Sequence, residues 1–133
     1  MPGYSGTPLP KKLGIKDGFR VSLSAMPGEV RAELNSALAN CHIARDTKSR
    51  FDFVMRFAKS KADLQDLDRT AKSLAPAGML WISWPKKSSG VLTDLDENKV
   101  RDLGLAVGLV DVKVCAVTDV WSGLKFVRRL KDR

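Results

Sequence analysis

In the stretch Met79-Leu-Trp-Ile-Ser-Trp-Pro-Lys-Lys-Ser-Ser-Gly90, two lysines and two serines follow a tryptophan and a proline. Ammonium groups, hydroxyls and free backbone N–H groups in one short loop are the chemistry that receives a phosphate or a carboxylate. The competing reading of Lys86-Lys-Ser-Ser-Gly90 is a solvated loop with no ligand. The apolar run ahead of the loop reads as a strand, whose side chains alternate between faces. Met79, Trp81 and Ser83 then share one face, and Leu80, Ile82 and Trp84 the other. Trp81 reads as core, whereas Trp84, beside Pro85, is expected to wall a crevice at the strand's carboxyl end. Ser24 and Met26 after an earlier strand, and Lys59 after another, are expected at the same edge. The candidate ligand set is therefore Ser24, Met26, Lys59, Ser83, Trp84, Lys86, Lys87 and Ser88.

Familiar catalytic sets fail on residue type or spacing. His42 is the single histidine, so no two-histidine metal site can form, and no metal is expected. No Gly-x-Ser-x-Gly elbow occurs for a serine nucleophile, and no Gly-x-x-x-x-Gly-Lys-Ser/Thr loop for phosphates. His42 reads as a partly buried, structural strand residue. Cys41 and Cys115 are too few for a disulfide framework, and a buried reduced thiol is the ordinary outcome for each. No catalytic residue is assigned, and the residues favour binding over enzymatic chemistry.

A chain of 133 residues with 44% hydrophobic and 29% charged residues is expected to be one domain with a real core. No apolar run approaches the ~20 residues of a membrane span, and the first residues lack the basic-then-apolar pattern of a secretory signal. The expected address is cytoplasmic, with no membrane partner. The net charge of +8 is concentrated at the ends: residues 1–50 sum to +4, residues 51–124 to zero and residues 125–133 to +4. Basic ends of this kind either attract nucleic acid or an acidic partner, or serve only to solubilise.

The elements that must position these residues follow from periodicity. Residues 1–14, rich in proline and glycine, are expected to run over the surface. Phe19–Ala25 alternates as a strand, stopped at Pro27-Gly28, and Glu29–Ala39 is a helix with Val30, Leu34, Ala37 and Leu38 on one face. His42–Arg45 is a short strand of undetermined pairing direction, because five residues are too few for a parallel crossover to the next. Phe51–Phe57 is a strand. A helix then opens at Ser60 and ends at Pro76-Ala-Gly78, and Met79–Trp84 follows as a strand buried on both faces. Thr93 opens a last helix that stops at Gly108. Val110–Val117 and Leu124–Arg129 form an antiparallel hairpin turning around Trp121-Ser-Gly123, with Trp121 as a packing plug. The alternation predicts a three-layer Rossmann-like α/β sheet, mostly parallel, ending in that hairpin.

Two segments resemble class I methyltransferases, which use S-adenosylmethionine. Ile15-Lys-Asp-Gly-Phe-Arg-Val21 resembles the lead-in to their first strand, and Leu74-Ala-Pro-Ala-Gly-Met-Leu-Trp-Ile-Ser83 the helix end, turn and strand of their second half. The whole chain is similar to a family of uncharacterised bacterial proteins, a domain of unknown function. That similarity is carried by Tyr-Ser-Gly-Thr-Pro-Leu at 4–9, Lys-Lys-Leu-Gly-Ile-Lys at 11–16, Trp-Pro-Lys-Lys at 84–87 and Val-Trp-Ser-Gly-Leu-Lys at 120–125. The chain departs from the methyltransferases in Ser22-Leu-Ser-Ala-Met-Pro-Gly28, which has one glycine where they have several. The segment between its second and third strands also lacks the further strand and helix that they carry. Asp46 stands near their ribose-holding acid.

No cofactor is therefore expected, S-adenosylmethionine included, and the leading expectation is a binding or regulatory module for a small anionic ligand. The alternatives are nucleic-acid or acidic-partner binding through the basic termini, and an atypical S-adenosylmethionine-dependent methyltransferase.

Overall fold

The computed structural model describes residues 6–44 and 50–133. Six strands form one sheet: β1 (Arg20–Ser24), β2 (His42–Ile43), β3 (Phe51–Phe57), β4 (Leu74–Pro85), β5 (Leu109–Ala116) and β6 (Trp121–Arg128). Their order is β2-β1-β3-β4-β6-β5. Neighbours β2, β1, β3 and β4 pair in parallel, and β6 lies antiparallel between β4 and β5. This is a doubly wound Rossmann-like sheet with a reversed strand inserted near one edge. The expected fold class is the observed one.

Helices cover both faces. On one side α1 (Leu9–Leu13) and α2 (Gly28–Leu38) bury Leu9, Leu13, Val30, Leu34 and Leu38 against Val21, Phe53, Met55 and Trp81. Trp81 is wholly buried there, and its indole N–H donates to the Leu13 carbonyl at 2.9 Å. On the other side α3 (Leu67–Lys72) and α4 (Glu97–Ala106) pack Leu67, Ala71 and Val100 over Leu80, Ile82, Trp84 and Phe126. The alternation expected along Met79–Trp84 is thus realised, with β4 buried on both faces. Gly104 lets α4 lie directly on the sheet, since a Cβ there would overlap the Phe126 ring.

Several boundaries differ from the sequence expectation. Residues 9–13 are not a surface run, because a helical turn buries Leu9 and Leu13. β2 is two residues long and pairs parallel to β1, His42 opposite Arg20, and at this sheet edge His42 is exposed rather than partly buried. The helix expected from Ser60 is a short 3-10 turn at Lys61–Leu64 followed by α3. Pro76-Ala-Gly78 does not end a helix; it interrupts the register of β4, which already pairs at Leu74 with Phe51. Thr93 does not cap α4; the cap is Asp96, whose carboxylate accepts from Lys99 N at 2.8 Å. The hairpin turns at 117–120, and Trp121-Ser-Gly123 lies inside β6 opposite Pro85, Trp84 and Ser83. Cys115 is buried as expected, but Cys41 is only half-buried. Among the described residues no helix is long and apolar enough to cross a membrane.

Candidate functional site

From β1 the chain turns to β2 on one side and then to β3 on the other, so strand order reverses between β1 and β3. Open α/β sheets bind ligands outside the carboxyl ends of the strands at such a reversal. A cavity of about 460 Å³ lies there, lined by Ser24 at the end of β1, Ala25 and Pro27 after it, Arg56 and Phe57 of β3, Lys59 and Asp63 beyond it, and Trp121 of β6. Trp121 stands edge-on to Phe57, ring centroids 5.1 Å apart at 81°, so the plug expected in the turn also walls this cavity.

The loop after β1 holds Ala25 at φ 57, a left-handed conformation. For a residue with a Cβ this costs about 1–2 kcal/mol. Alanine here adopts the kind of backbone for which glycine-rich loops use glycine. Pro27 precedes α2 without a side-chain cap, as proline has no side-chain acceptor to offer. The Ser24 hydroxyl and the Lys59 ammonium have no partner among the described residues.

Lys59 itself is fixed by its backbone. Its N–H donates to Asp63 Oδ2 at 3.0 Å, and its carbonyl accepts from the Thr93 hydroxyl at 2.6 Å. The same Asp63 oxygen accepts from Ser60 N at 3.2 Å. The bond from Lys59 N, seconded by that from Ser60, holds the Asp63 carboxyl below its ordinary value. Thr93 and Asp94, expected to open a helix, instead brace this corner, Asp94 Oδ1 accepting from Lys61 N at 3.0 Å.

In the wall of the cavity Arg56 is nearly buried, its side chain 11% exposed. It donates to Thr70 Oγ1 at 2.8 Å and to the Asp63 carbonyl at 2.9 Å, and pairs with Asp66 at 2.8 Å. Burial works upward on the Asp66 carboxyl, but the hydrogen bond and charge of Arg56 outweigh it and leave the group below its ordinary value. The sequence signal for Arg56 was a charge inside an otherwise apolar strand, Phe53-Val-Met-Arg-Phe57.

Of the eight residues expected at the edge, the structure brings Ser24 and Lys59 together in this cavity. Met26 is half-buried against the core on the α1 side. Ser83 is wholly buried, its hydroxyl donating to the Ser122 carbonyl at 2.6 Å, and Trp84 is core rather than a crevice wall. Lys86 is tied by its N–H to the Val120 carbonyl at 2.7 Å, and Lys87 and Ser88 lie exposed in a 3-10 turn. None of these three lines the cavity. Asp46 lies outside the described residues. At the basic carboxyl terminus, Arg128 donates to the Leu74 carbonyl at 2.6 Å, so that cation serves the fold. Among the described residues no group of three or more His, Cys, Asp or Glu could hold a metal ion.

No protein-family model matches the chain, and no curated protein matches it. Solved structures do. A SAM-dependent methyltransferase from Aquifex aeolicus superposes with TM-score 0.60 at 17% identity, over 87% of this chain and 85% of that one. Magnesium protoporphyrin IX methyltransferase from Synechocystis PCC 6803, with bound SAM, gives 0.57 at 11% identity, over 91% and 74%. A didemethyltoxoflavin methyltransferase from Burkholderia thailandensis, with bound S-adenosylhomocysteine, gives 0.58 at 14%, over 90% and 74%. The expectation that no cofactor, and in particular no S-adenosylmethionine, goes with this chain is overturned by these neighbours. It rested on the missing glycines, yet the chain builds the fold of neighbours solved with bound SAM or S-adenosylhomocysteine. The fold is the Rossmann-like fold of SAM-dependent methyltransferases.

Proposed function

We propose that the chain binds S-adenosylmethionine at the β1–β3 edge and acts as a methyltransferase with an atypical cofactor loop. The observation that carries this reading is the cavity of about 460 Å³ at the strand-order reversal. Its size lies within the ~300–1,000 Å³ of small-molecule sites.

The residues present fit such a ligand in kind. The Lys59 ammonium and the positive end of α2 suit the amino-acid carboxylate. The Trp121 and Phe57 rings suit an adenosyl ring or a sulfonium. Ser24 offers a hydroxyl. Asp63 is consumed by its backbone bonds, so a carboxylate for the ribose has to come from elsewhere. When bound, the cofactor supplies an electrophilic methyl group. This chain's part is to orient it and to exclude water from it. The reading includes kinship with the uncharacterised bacterial family, which rests on the segments at 4–9, 11–16, 84–87 and 120–125.

Titration calorimetry with S-adenosylmethionine and S-adenosylhomocysteine tests the reading. Saturable heat is expected from both, weakened about tenfold or more in Lys59→Glu, as for loss of a charged hydrogen bond. No heat at millimolar ligand would remove it.

A further inference from the structure

A second cavity, of about 350 Å³, lies on the α3 side of β1 and β3. Only residues 44–50 connect β2 to β3, too few for the helix that such a crossover ordinarily lays on the sheet. Along this flank α3 borders the sheet without covering it, and Ser22 and Ser24 are half-exposed on the open face of β1. Phe51, Val54 and Ala44 supply an apolar floor, and Thr70 and Ser73 a polar wall.

β1 is flanked by strands on both sides, and its opposite face carries the buried Val21 and the half-buried Leu23. A face shaped for an apolar cover would repeat that pattern. Instead it presents two hydroxyls that have no partner among the described residues. The lining holds two guanidiniums, Arg56 and Arg69, against one carboxylate, Asp66. Arg56 is spent on Asp66, Thr70 and the Asp63 carbonyl, while the exposed Arg69 has no hydrogen-bond partner among the described residues. One positive charge, free hydroxyls and a short apolar floor together describe a site for a small monoanion with a compact apolar body.

We infer that this cavity is a second small-molecule site, distinct from the edge cavity and taking a carboxylate- or phosphate-bearing ligand on Arg69 and the β1 serines. Ser24 and Arg56 line both cavities, so a ligand here reaches toward the β1–β3 edge. If the methyltransferase reading holds, the ligand is placed as a methyl acceptor, and only that role rests on the reading.

Amide chemical-shift mapping with benzoate, phenyl phosphate and neutral benzamide tests the site. The expected result is saturable shifts at Ser22, Ser24, Thr70 and Ser73 with an anion and none with benzamide, and the stronger anion tells carboxylate from phosphate. In Arg69→Gln, an exposed position that the fold tolerates, affinity should fall about tenfold while the heat of S-adenosylmethionine binding stays the same. Shifts absent with both anions, equal with benzamide, or unchanged in Arg69→Gln would overturn the site. So would shifts that follow protein concentration alone, which mark contact between copies.

Discussion

The two faces of β1 tell opposite stories within five residues. Val21 is sealed under α1 and α2, while Ser22 and Ser24 look into an open flank beside α3. One strand thus ends a core on one side and floors a cavity on the other. The difference follows from connection length. The β1–β2 link carries α2, which covers its face, whereas only residues 44–50 separate β2 from β3. Serines on the open side mean that the residue pattern agrees with the uncovered geometry, as it should where every level of a sequence points to one structure.

The largest expected effect lies on the sealed side. Trp81→Ala removes a side chain that is wholly buried and strands the Leu13 carbonyl that its indole N–H satisfies. A loss of about 3–5 kcal/mol is expected, read from urea or thermal unfolding. A loss below about 1 kcal/mol would mean that the α1 side is as loosely built as the other, and the contrast would disappear.

On the open side the main structural anchor is Arg56. Arg56→Met keeps the buried stem but deletes the bonds to Thr70, Asp66 and the Asp63 carbonyl. About 2 kcal/mol is expected, the scale of hydrogen bonds to charged groups. The Asp66 carboxyl is half exposed and relaxes into water. The variant also has a signature in acid. The folded Asp66 sits below its ordinary value, burial raising it and Arg56 more than offsetting that. The pair's contribution is therefore complete above the unfolded carboxylate value near ~3.9 and is lost as pH falls through the folded value. Unfolding measured from neutral to acid pH should show this loss in the parent and a shallower one in Arg56→Met. Identical slopes would show that the pair is not what fixes this flank.

How much of this was legible beforehand depends on whether the determining contact is local. The β4 alternation was readable because the period of a strand is a backbone property, and Trp81 and Trp84 fell on the faces it assigned. The place of the site was not. Trp121-Ser-Gly123 has turn composition, yet it pairs with Ser83–Pro85 across some forty residues. That pairing closes the end of β4, buries Ser83 and Trp84, and leaves β1 and β3 as the open edge. Lys59 and Ser24 could be placed at that edge because Ser24 ends β1 and Lys59 closely follows β3. Arg69 carried no such mark, since an arginine on a short helix looks like any solvated cation until the cavity beside it is known.

The smallest effect is the sharpest for the comparison. Ser22→Val adds apolar bulk to the open face of β1, where the serine hydroxyl has no partner among the described residues. No buried bond is lost, and valine suits a strand better than serine does. The stability change should stay within about 0.5 kcal/mol, the usual range for a surface substitution away from special features. The cavity, by contrast, should lose its shifts with benzoate and phenyl phosphate. Stabilisation beyond about 1 kcal/mol would mean that the face accepts an apolar cover after all, because burying one valine removes that much surface from water. A comparable loss would mean that the hydroxyl is tied into the fold. Either outcome would erase the distinction between the two sides of β1, since each requires Ser22 to be packed as Val21 is.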